Sequence, residues 1–166
     1  EYELTEQNVM RHDAVLRHVM GAYTIVPAEF GTIFYDERLL KNLLNKAYDL
    51  IKKCLLLVDG TVELGIKALY QNGLEHLDEE LVKLRDNDIL ESLKKISVQS
   101  VSGELFSDKL ILNESFLVKK EMLDAFSEEV ARMEERYASI KFLYSGPWAP
   151  YNFVYIKIGK KGIEFN

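Results

Sequence analysis

Cysteine, histidine and proline are scarce in this chain of 166 residues, which contains one cysteine, three histidines and three prolines. The single cysteine, Cys54, excludes an internal disulfide bond and any Cys-x-x-Cys metal or redox site. The histidines, at positions 12, 18 and 76, are too few and too scattered to predict a zinc site. A function that depends on paired thiols or on a histidine-bound metal is therefore not predicted.

The chain also lacks an excess of positive charge and has no long apolar run. The formal net charge is −6, which argues against a surface for nucleic acid or for an anionic membrane. The longest apolar run, Cys54–Val58, is far shorter than the ~20 residues of a transmembrane helix. Hydrophobic residues nevertheless make up 48% of the chain, which is enough for the core of one domain, with or without an appendage.

Two helices are predicted in the first third of the chain. Thr5 is a suitable N-cap for a helix that runs to Met20, and Gly21 is a suitable residue to end it. A second helix is predicted from Asp36 to about Cys54, because leucines recur there at helical spacing with charged residues opposite them. We expect this leucine stripe to pack in the core rather than to form a groove for a partner.

Strands are predicted where apolar and β-branched residues concentrate or alternate with polar ones. These places are Tyr23–Val26, which stops at Pro27, then Thr61–Gln71, Leu110–Val118 and Ile140–Ser145. A helix over Lys119–Tyr137 is predicted between the last two strands, with Glu128 and Arg132 spaced to form an ion pair. The polar residues 72–108 predict one or two inserted helices, followed by a loop from Ser97.

The order of these elements predicts an α+β fold. An N-terminal helix is followed by a β-α-β unit, a helical insert at about 74–107, a second β-α-β unit and a C-terminal aromatic extension. Two βαβ units in a chain of this size favour a ferredoxin-like split βαβ sheet with helices on one face. The ferredoxin-like domain would span residues 22–166, and Leu43, Leu50, Phe126 and Val130 would be buried in it.

The most distinctive stretch is residues 140–154, which hold the only tryptophan and two of the three prolines. Proline cannot donate to a strand ladder and glycine adopts turn conformations, so Gly146 and Pro147 are expected to end the strand. Two prolines around Trp148 restrict it before any partner binds. The candidate residues for partner binding or for packing are Tyr144, Gly146, Pro147, Trp148, Pro150, Tyr151, Phe153 and Tyr155.

Two segments of the chain carry a family resemblance. The segment YSGPWAPYNFV is similar to the Tyr/Thr-Gly-Pro-Trp-Pro-Pro-Tyr-x-Phe signature of the gas vesicle protein F/L family (GvpF/GvpL), with Ala149 where that family usually has proline. The segment HDAVLRHVMGAYTIVPAEFGTIF resembles the family's His-x-x-Val and Leu-Pro-x-x-Phe-Gly-Thr-x-Phe block. Ala28 and Glu29 stand there in place of branched-apolar and basic residues. The resemblance covers most of the chain.

The resemblance implies a non-enzymatic accessory protein of gas vesicle formation. Such proteins are thought to bind the hydrophobic vesicle wall protein and other accessory proteins in the cytoplasm, and to remain as minor vesicle components. The resemblance also implies a ferredoxin-like C-terminal domain, so that residues 1–21 would be a helix or linker following an upstream domain. No cofactor and no membrane or nucleic-acid partner is implied.

Three other functions are weighed against this one. His12 and Asp13 could suggest catalysis, but neighbouring residues on a helix point apart, so a packed His12 is the better interpretation. An acylphosphatase-like enzyme needs a cation in its anion-binding loop, where this chain has Glu29. A ferredoxin-like module that binds RNA or a small molecule remains the alternative, although RNA recognition needs basic residues around its aromatic side chains.

Overall fold

A computed structural model of the protein describes residues 3–70, 88–107, 109–137, 140–154, 156–159 and 162–165. The chain divides into two compact units. One comprises Glu1–Gly60 and Trp148–Asn166, and the other comprises Thr61–Pro147. The boundary between them falls inside the GPWAPY stretch, directly before Trp148.

The first unit contains three helices, α1 (Glu6–Met20), α2 (Glu37–Lys46) and α3 (Tyr48–Val58). The predicted capping of α1 by Thr5 is confirmed, because the Thr5 hydroxyl accepts a hydrogen bond from the Asn8 amide at 3.3 Å. Asp36 caps α2 in the same way, accepting from the Leu39 amide at 2.8 Å. Each cap satisfies one of the amide groups that a helix leaves unbonded at its start.

The predicted helix from Asp36 to Cys54 is two helices that meet at Ala47. Ala47 has φ −95° and ψ 5°, outside the helical range, and the second helix continues to Val58. Ala47, Cys54 and Val58 are buried, whereas Leu43 and Leu50 are only half-buried. Other described residues therefore cover only part of the apolar stripe that α2 and α3 carry.

The strand predicted over Tyr23–Val26 is wrong, because these residues and the segment up to Phe34 form irregular backbone. Thr32 donates from both its amide and its hydroxyl to the Glu29 carbonyl, at 3.1 and 2.8 Å. Gly31, within this turn, has φ 88°, which favours glycine. β-Branched and aromatic residues predicted a strand, but Pro27 and this turn interrupt the regular backbone that a strand requires.

The second unit contains a four-stranded sheet of β1 (Thr61–Tyr70), β2 (Gln99–Ser102), β3 (Leu110–Lys119) and β4 (Ile140–Trp148). The strand order is β2-β3-β1-β4. Both β1 and β2 run antiparallel to β3, with Thr61 opposite Lys119 and Gln99 opposite Leu117. Three of the predicted strands are confirmed, while β2 lies where a loop was predicted, because its polar residues lack an apolar alternation.

The described residues of the sheet unit include two α-helices, α4 (Asp88–Lys95) and α5 (Leu123–Arg136). A short 3-10 turn over Lys120–Met122 precedes α5. The Phe116 ring of β3 meets the Phe126 ring of α5 edge-on, with centroids 5.3 Å apart. The predicted burial of Phe126 and Val130 is confirmed, and both contribute to the core of this unit. That core also includes Leu64, Ile66, Leu93, Val118 and Met133.

The helical insert predicted at about 74–107 is described only from residue 88 onward, where it contains α4 and β2. After the GPWAPY stretch, the C-terminal extension contains β5 (Ile156–Gly159) and β6 (Gly162–Phe165). These two strands pair antiparallel, with Gly159 opposite Gly162.

Candidate partner-binding site

The candidate site begins in the last residues of β4. The prediction that Gly146 and Pro147 end this strand is wrong, because β4 runs through both to Trp148. β4 is an edge strand of the sheet, where a proline that lacks an amide hydrogen is tolerated.

Gly146 has φ 118°, a backbone conformation that residues other than glycine rarely adopt. The peptide bond between Gly146 and Pro147 is cis. Both residues are exposed, and Ala149 and Pro150, which follow Trp148, are buried. Burial therefore increases along the stretch from Gly146 to Pro150, and the half-buried Trp148 lies between the exposed and the buried residues.

Tyr144 packs within the sheet unit. Its hydroxyl lies 3.2 Å from the Ser127 hydroxyl of α5, and its ring centroid lies 6.0 Å from that of Phe126. The side chain is still 40% exposed. Tyr144 therefore fastens β4 to α5 and also contributes to the surface.

Trp148 is half-buried, and the guanidinium of Arg17 lies over its ring. The Arg17 Cζ atom is 4.4 Å from the ring centroid, which is the geometry of a cation–π contact. The same guanidinium donates from Nε to the Asp13 carboxylate at 2.6 Å, one helical turn away on α1. Arg17 therefore links Trp148 to α1, and Asp13 fixes the position of the Arg17 side chain.

Tyr151 is joined to His12, which lies 139 positions away in the sequence, by a contact of 3.2 Å between its hydroxyl and His12 Nε2. The Ala28 carbonyl oxygen lies 3.1 Å from the same nitrogen. A carbonyl can only accept a hydrogen bond, so this geometry assigns the ring hydrogen to Nε2. The Phe30 ring contacts the imidazole edge-on at 5.7 Å between centroids. The interpretation of His12 as a packed residue is therefore correct.

The rest of the stretch turns back into the first unit. Tyr151 donates its amide to the Ala149 carbonyl at 2.8 Å, and Phe153 donates to the Pro150 carbonyl at 3.2 Å. Phe153 is buried, with 4% of its surface exposed. Phe153 and Pro150 therefore serve the core, whereas Trp148 and Tyr151 are half-buried. Tyr155, the last candidate residue, lies outside the described residues.

Arg17 was not identified from the sequence. An isolated arginine on an amphipathic helix has no local pattern that distinguishes it from a solvated charge. Only the return of the C-terminal stretch brings Trp148 over it. The spacing of Asp13 and Arg17 by one helical turn is the one sequence signal that was available, and it predicts their ion pair but not the tryptophan.

The described residues contain no cluster of three or more histidine, cysteine or acidic side chains that could hold a metal ion. None of the described helices is long and apolar enough to cross a membrane. Burial raises the pKa of the Cys54 thiol, which disfavours its reactive thiolate form. A hydrogen bond from Ser92 lowers the pKa of Glu129, and Arg132 and Arg136 act in the same direction against the opposing effect of burial. Glu129 therefore connects α4 to α5.

Comparison of the sequence with known proteins identifies the family of this chain. A family model described as "Gas vesicle synthesis protein GvpL/GvpF" matches residues 1–88 and 85–155. Gas vesicle protein F of Haloferax mediterranei is 37% identical over 163 residues, which are 95% of this chain and 74% of the relative. Gas vesicle protein F1 of Halobacterium salinarum is 36% identical over 160 residues, covering 95% and 73% of the two chains.

A solved structure shows the same fold. The crystal structure of the gas vesicle protein GvpF from Anabaena sp. superposes with a TM-score of 0.78 at 20% identity, covering 92% of this chain and 76% of that one. The mixed helical and antiparallel four-stranded architecture is thus shared with a GvpF protein. The sequence matches over nearly the whole chain show that it belongs to the GvpL/GvpF family of gas vesicle proteins.

Proposed function

We propose that this protein is a non-enzymatic assembly factor that binds the hydrophobic gas vesicle wall protein, and other accessory proteins, in the cytoplasm while vesicles form. A subunit that assembles through apolar surface tends to associate too early unless a soluble partner covers that surface. The net charge of −6 helps such a partner to stay dissolved while it does so. In this proposal, some copies of the protein remain as a minor component of the vesicle.

The observation that carries the proposal is the joining of the two segments that resemble the family. Arg17 contacts Trp148 and His12 contacts Tyr151, so α1 and residues 148–151 lie together in the first unit. Both aromatic residues are half-buried, and each makes one of these contacts with α1. Anchored, partly exposed tryptophan and tyrosine side chains are frequent hot spots of protein interfaces, and fixing them in advance lowers the entropic cost of binding.

We test this function with the double substitution Trp148→Ala and Tyr151→Ala. The variant should lose capture of the wall protein in a pull-down from a mixture of the vesicle proteins of the same cell. Circular dichroism and thermal melting should change little, because half-buried side chains contribute less to the core than buried ones. The matched control is Tyr35→Ala with Phe106→Ala, which removes two aromatic side chains that are 98% and 71% exposed.

The outcomes separate binding from packing. Loss of capture with retained stability supports the proposal. Loss of capture together with a loss of several kcal/mol of stability would mean that the two side chains serve the core. Retained capture with retained stability would refute both roles. Capture that fails for the control variant as well would show that any exposed aromatic residue contributes, so the GPWAPY stretch would have no specific role.

We also propose that the ferredoxin-like split βαβ arrangement, which was predicted over residues 22–166, lies in residues 61–147. The first β-α-β unit would then contain α4 rather than the predicted helix from Asp36 to Cys54, which belongs to the other unit. Three observations support this arrangement. The strand order is β2-β3-β1-β4, β1 and β2 are both antiparallel to the β3 strand between them, and α4 and α5 fall in the β1–β2 and β3–β4 connections. An experimental structure in which β4 runs parallel to β1 would contradict the proposal.

A further inference from the structure

Large apolar side chains are exposed in one row along α2 and α3. Leu44 is 45% exposed, Tyr48 63% and Leu56 72%. The exposed Lys52 lies midway between Tyr48 and Leu56 in the chain, so the four residues follow one another at intervals of four. Leu56 comes two positions after the buried Cys54, which is about 200° around a helix, so the row runs along the outer side of α3. We call Leu44, Tyr48, Lys52 and Leu56 the outer row.

The outer row is continuous although α2 and α3 meet at Ala47. The Ala47 amide donates to the Leu43 carbonyl oxygen at 2.8 Å, and the Ile51 amide donates to the Ala47 carbonyl oxygen at 2.8 Å. Both bonds join residues four apart, as in a helix, so residues at intervals of four stay on one side across the junction. The rise of a helix places Leu56 about 18 Å from Leu44 along the axis. The outer row is therefore long enough to lie against about three turns of another helix.

The charge around the outer row is opposite in sign to that of the whole chain. Residues 36–58 contain five cationic and three anionic side chains, whereas the net charge of the chain is −6. Lys41 is paired with Glu37 at 2.8 Å. Among the residues that the structure describes, neither Lys52 nor Lys53 has a partner in an ion pair. Two ammonium groups are therefore available beside exposed apolar side chains.

We propose that the outer row binds an acidic amphipathic helix of a partner protein. The apolar stripe of that helix covers Leu44, Tyr48 and Leu56, and its carboxylates lie beside Lys52 and Lys53. A helix with an apolar stripe and acidic edges complements the row in both hydrophobicity and charge. Contiguous apolar side chains that remain exposed on a folded protein commonly mark such an interaction surface.

Two other occupants fit the outer row less well. An anionic membrane would repel a chain with a net charge of −6. A second copy of the chain offers α5, an acidic helix that the structure describes in full, but α5 exposes no large apolar side chain that could cover the leucines. The proposal goes beyond the proposed function, because the outer row shares no residue with the GPWAPY stretch.

A stapled helical peptide of about 14 residues serves as the probe, long enough to span the outer row. It carries leucines at intervals of three and four and glutamates along both edges of that stripe. A twin peptide has glutamine in place of every glutamate. Each peptide is labelled with fluorescein and titrated with the full chain, and fluorescence anisotropy reports binding. The glutamate peptide should bind at least about tenfold more tightly than its twin, and its affinity should fall as salt is added, because carboxylates pair with the lysines.

The substitution Lys52→Glu with Leu56→Ala tests the row itself. It should weaken binding of the glutamate peptide by at least about tenfold, since it reverses a charge and removes an apolar contact. The matched control is Lys109→Glu with Leu105→Ala, which makes the same two changes four positions apart at exposed residues of the sheet unit. The control should bind as the wild type does. Thermal melting checks that both variants fold, and Lys52→Gln replaces the test variant if it does not.

Several results would overturn the proposal. These are a wild-type chain that does not bind the glutamate peptide, equal affinity for the two peptides, and an equal loss in the control variant. Binding to phosphatidylglycerol vesicles without binding to the peptide would assign the row to a membrane. Self-association in sedimentation equilibrium that Lys52→Glu with Leu56→Ala abolishes, again without peptide binding, would assign it to a second copy. Capture of the wall protein through Trp148 and Tyr151 is measured separately, so the proposed function can fail without this inference, and the reverse.

Discussion

At the scale of single residues, Gly146 is the position in the GPWAPY stretch with the strongest backbone requirement. Its φ of 118° lies where a Cβ atom collides with the neighbouring backbone, so no other residue type fits without strain. Gly146 lies inside β4, two residues before the strand ends at Trp148. The path of the last residues of β4 therefore depends on a residue that has no side chain.

Gly146→Ala should destabilise the protein by ~1–3 kcal/mol, the usual cost of holding a residue in such a region. Urea denaturation followed by circular dichroism measures the change. Gly21→Ala is a comparison rather than a neutral control: Gly21 has φ −63°, an ordinary helical value, but a Cβ there would lie 3.3 Å from the His18 carbonyl oxygen. A Gly146→Ala variant as stable as the wild type would contradict the strained geometry.

At the scale of elements, α5 and α2 differ in how completely their apolar faces are covered. Phe126 of α5 has 0% of its surface exposed and contacts Phe116 of β3. Leu43 of α2 is only half-buried, and its neighbour Leu44 is 45% exposed. An apolar stripe in the sequence therefore does not by itself fix how much a helix contributes to stability.

Phe126→Ala should cost ~3–5 kcal/mol, because it leaves a cavity in a closed core. Leu43→Ala should cost less than the ~2 kcal/mol at the low end for buried leucines. Parallel denaturant melts of the two variants, each compared with the wild type, measure the difference. A larger loss for Leu43→Ala than for Phe126→Ala would show that α2, rather than α5, carries the more critical core contact.

At the scale of the whole molecule, negative charge is combined with a surface that holds accessible apolar side chains. The net charge of −6 opposes self-association, while Met10 and the half-buried Trp148 remain available for a partner. This combination suits a protein that must stay dissolved while it covers the apolar surface of another.

An equimolar amount of this protein should therefore suppress the light scattering that develops when the wall protein is diluted from denaturant. The Trp148→Ala, Tyr151→Ala variant should suppress it much less, because it lacks the two anchored aromatic side chains. An unrelated protein with the same net charge serves as the control. Equal suppression by that control would mean that charge alone, and not the α1 and GPWAPY surface, keeps the wall protein dissolved.

Taken by itself, the sequence determined the local elements and the family. Thr5 predicted the start of α1 because capping acts over three residues, and the apolar pattern of Lys119–Tyr137 predicted α5 because helical periodicity is local. The same local reasoning failed at Tyr23–Val26, where β-propensity was overridden by a turn, and at Gln99–Ser102, whose polar strand is formed by pairing with β3.

The tertiary structure alone decided which distant residues contact the candidate residues Trp148 and Tyr151. His12 with Tyr151, and Arg17 with Trp148, are separated by most of the chain, and no periodicity in either segment specifies the other. The strand order, too, follows from pairing between distant residues, such as Thr61 with Lys119. Local patterns record the preferences of neighbouring residues, whereas contacts between distant residues depend on how the elements pack, and that packing minimises the free energy of the whole chain.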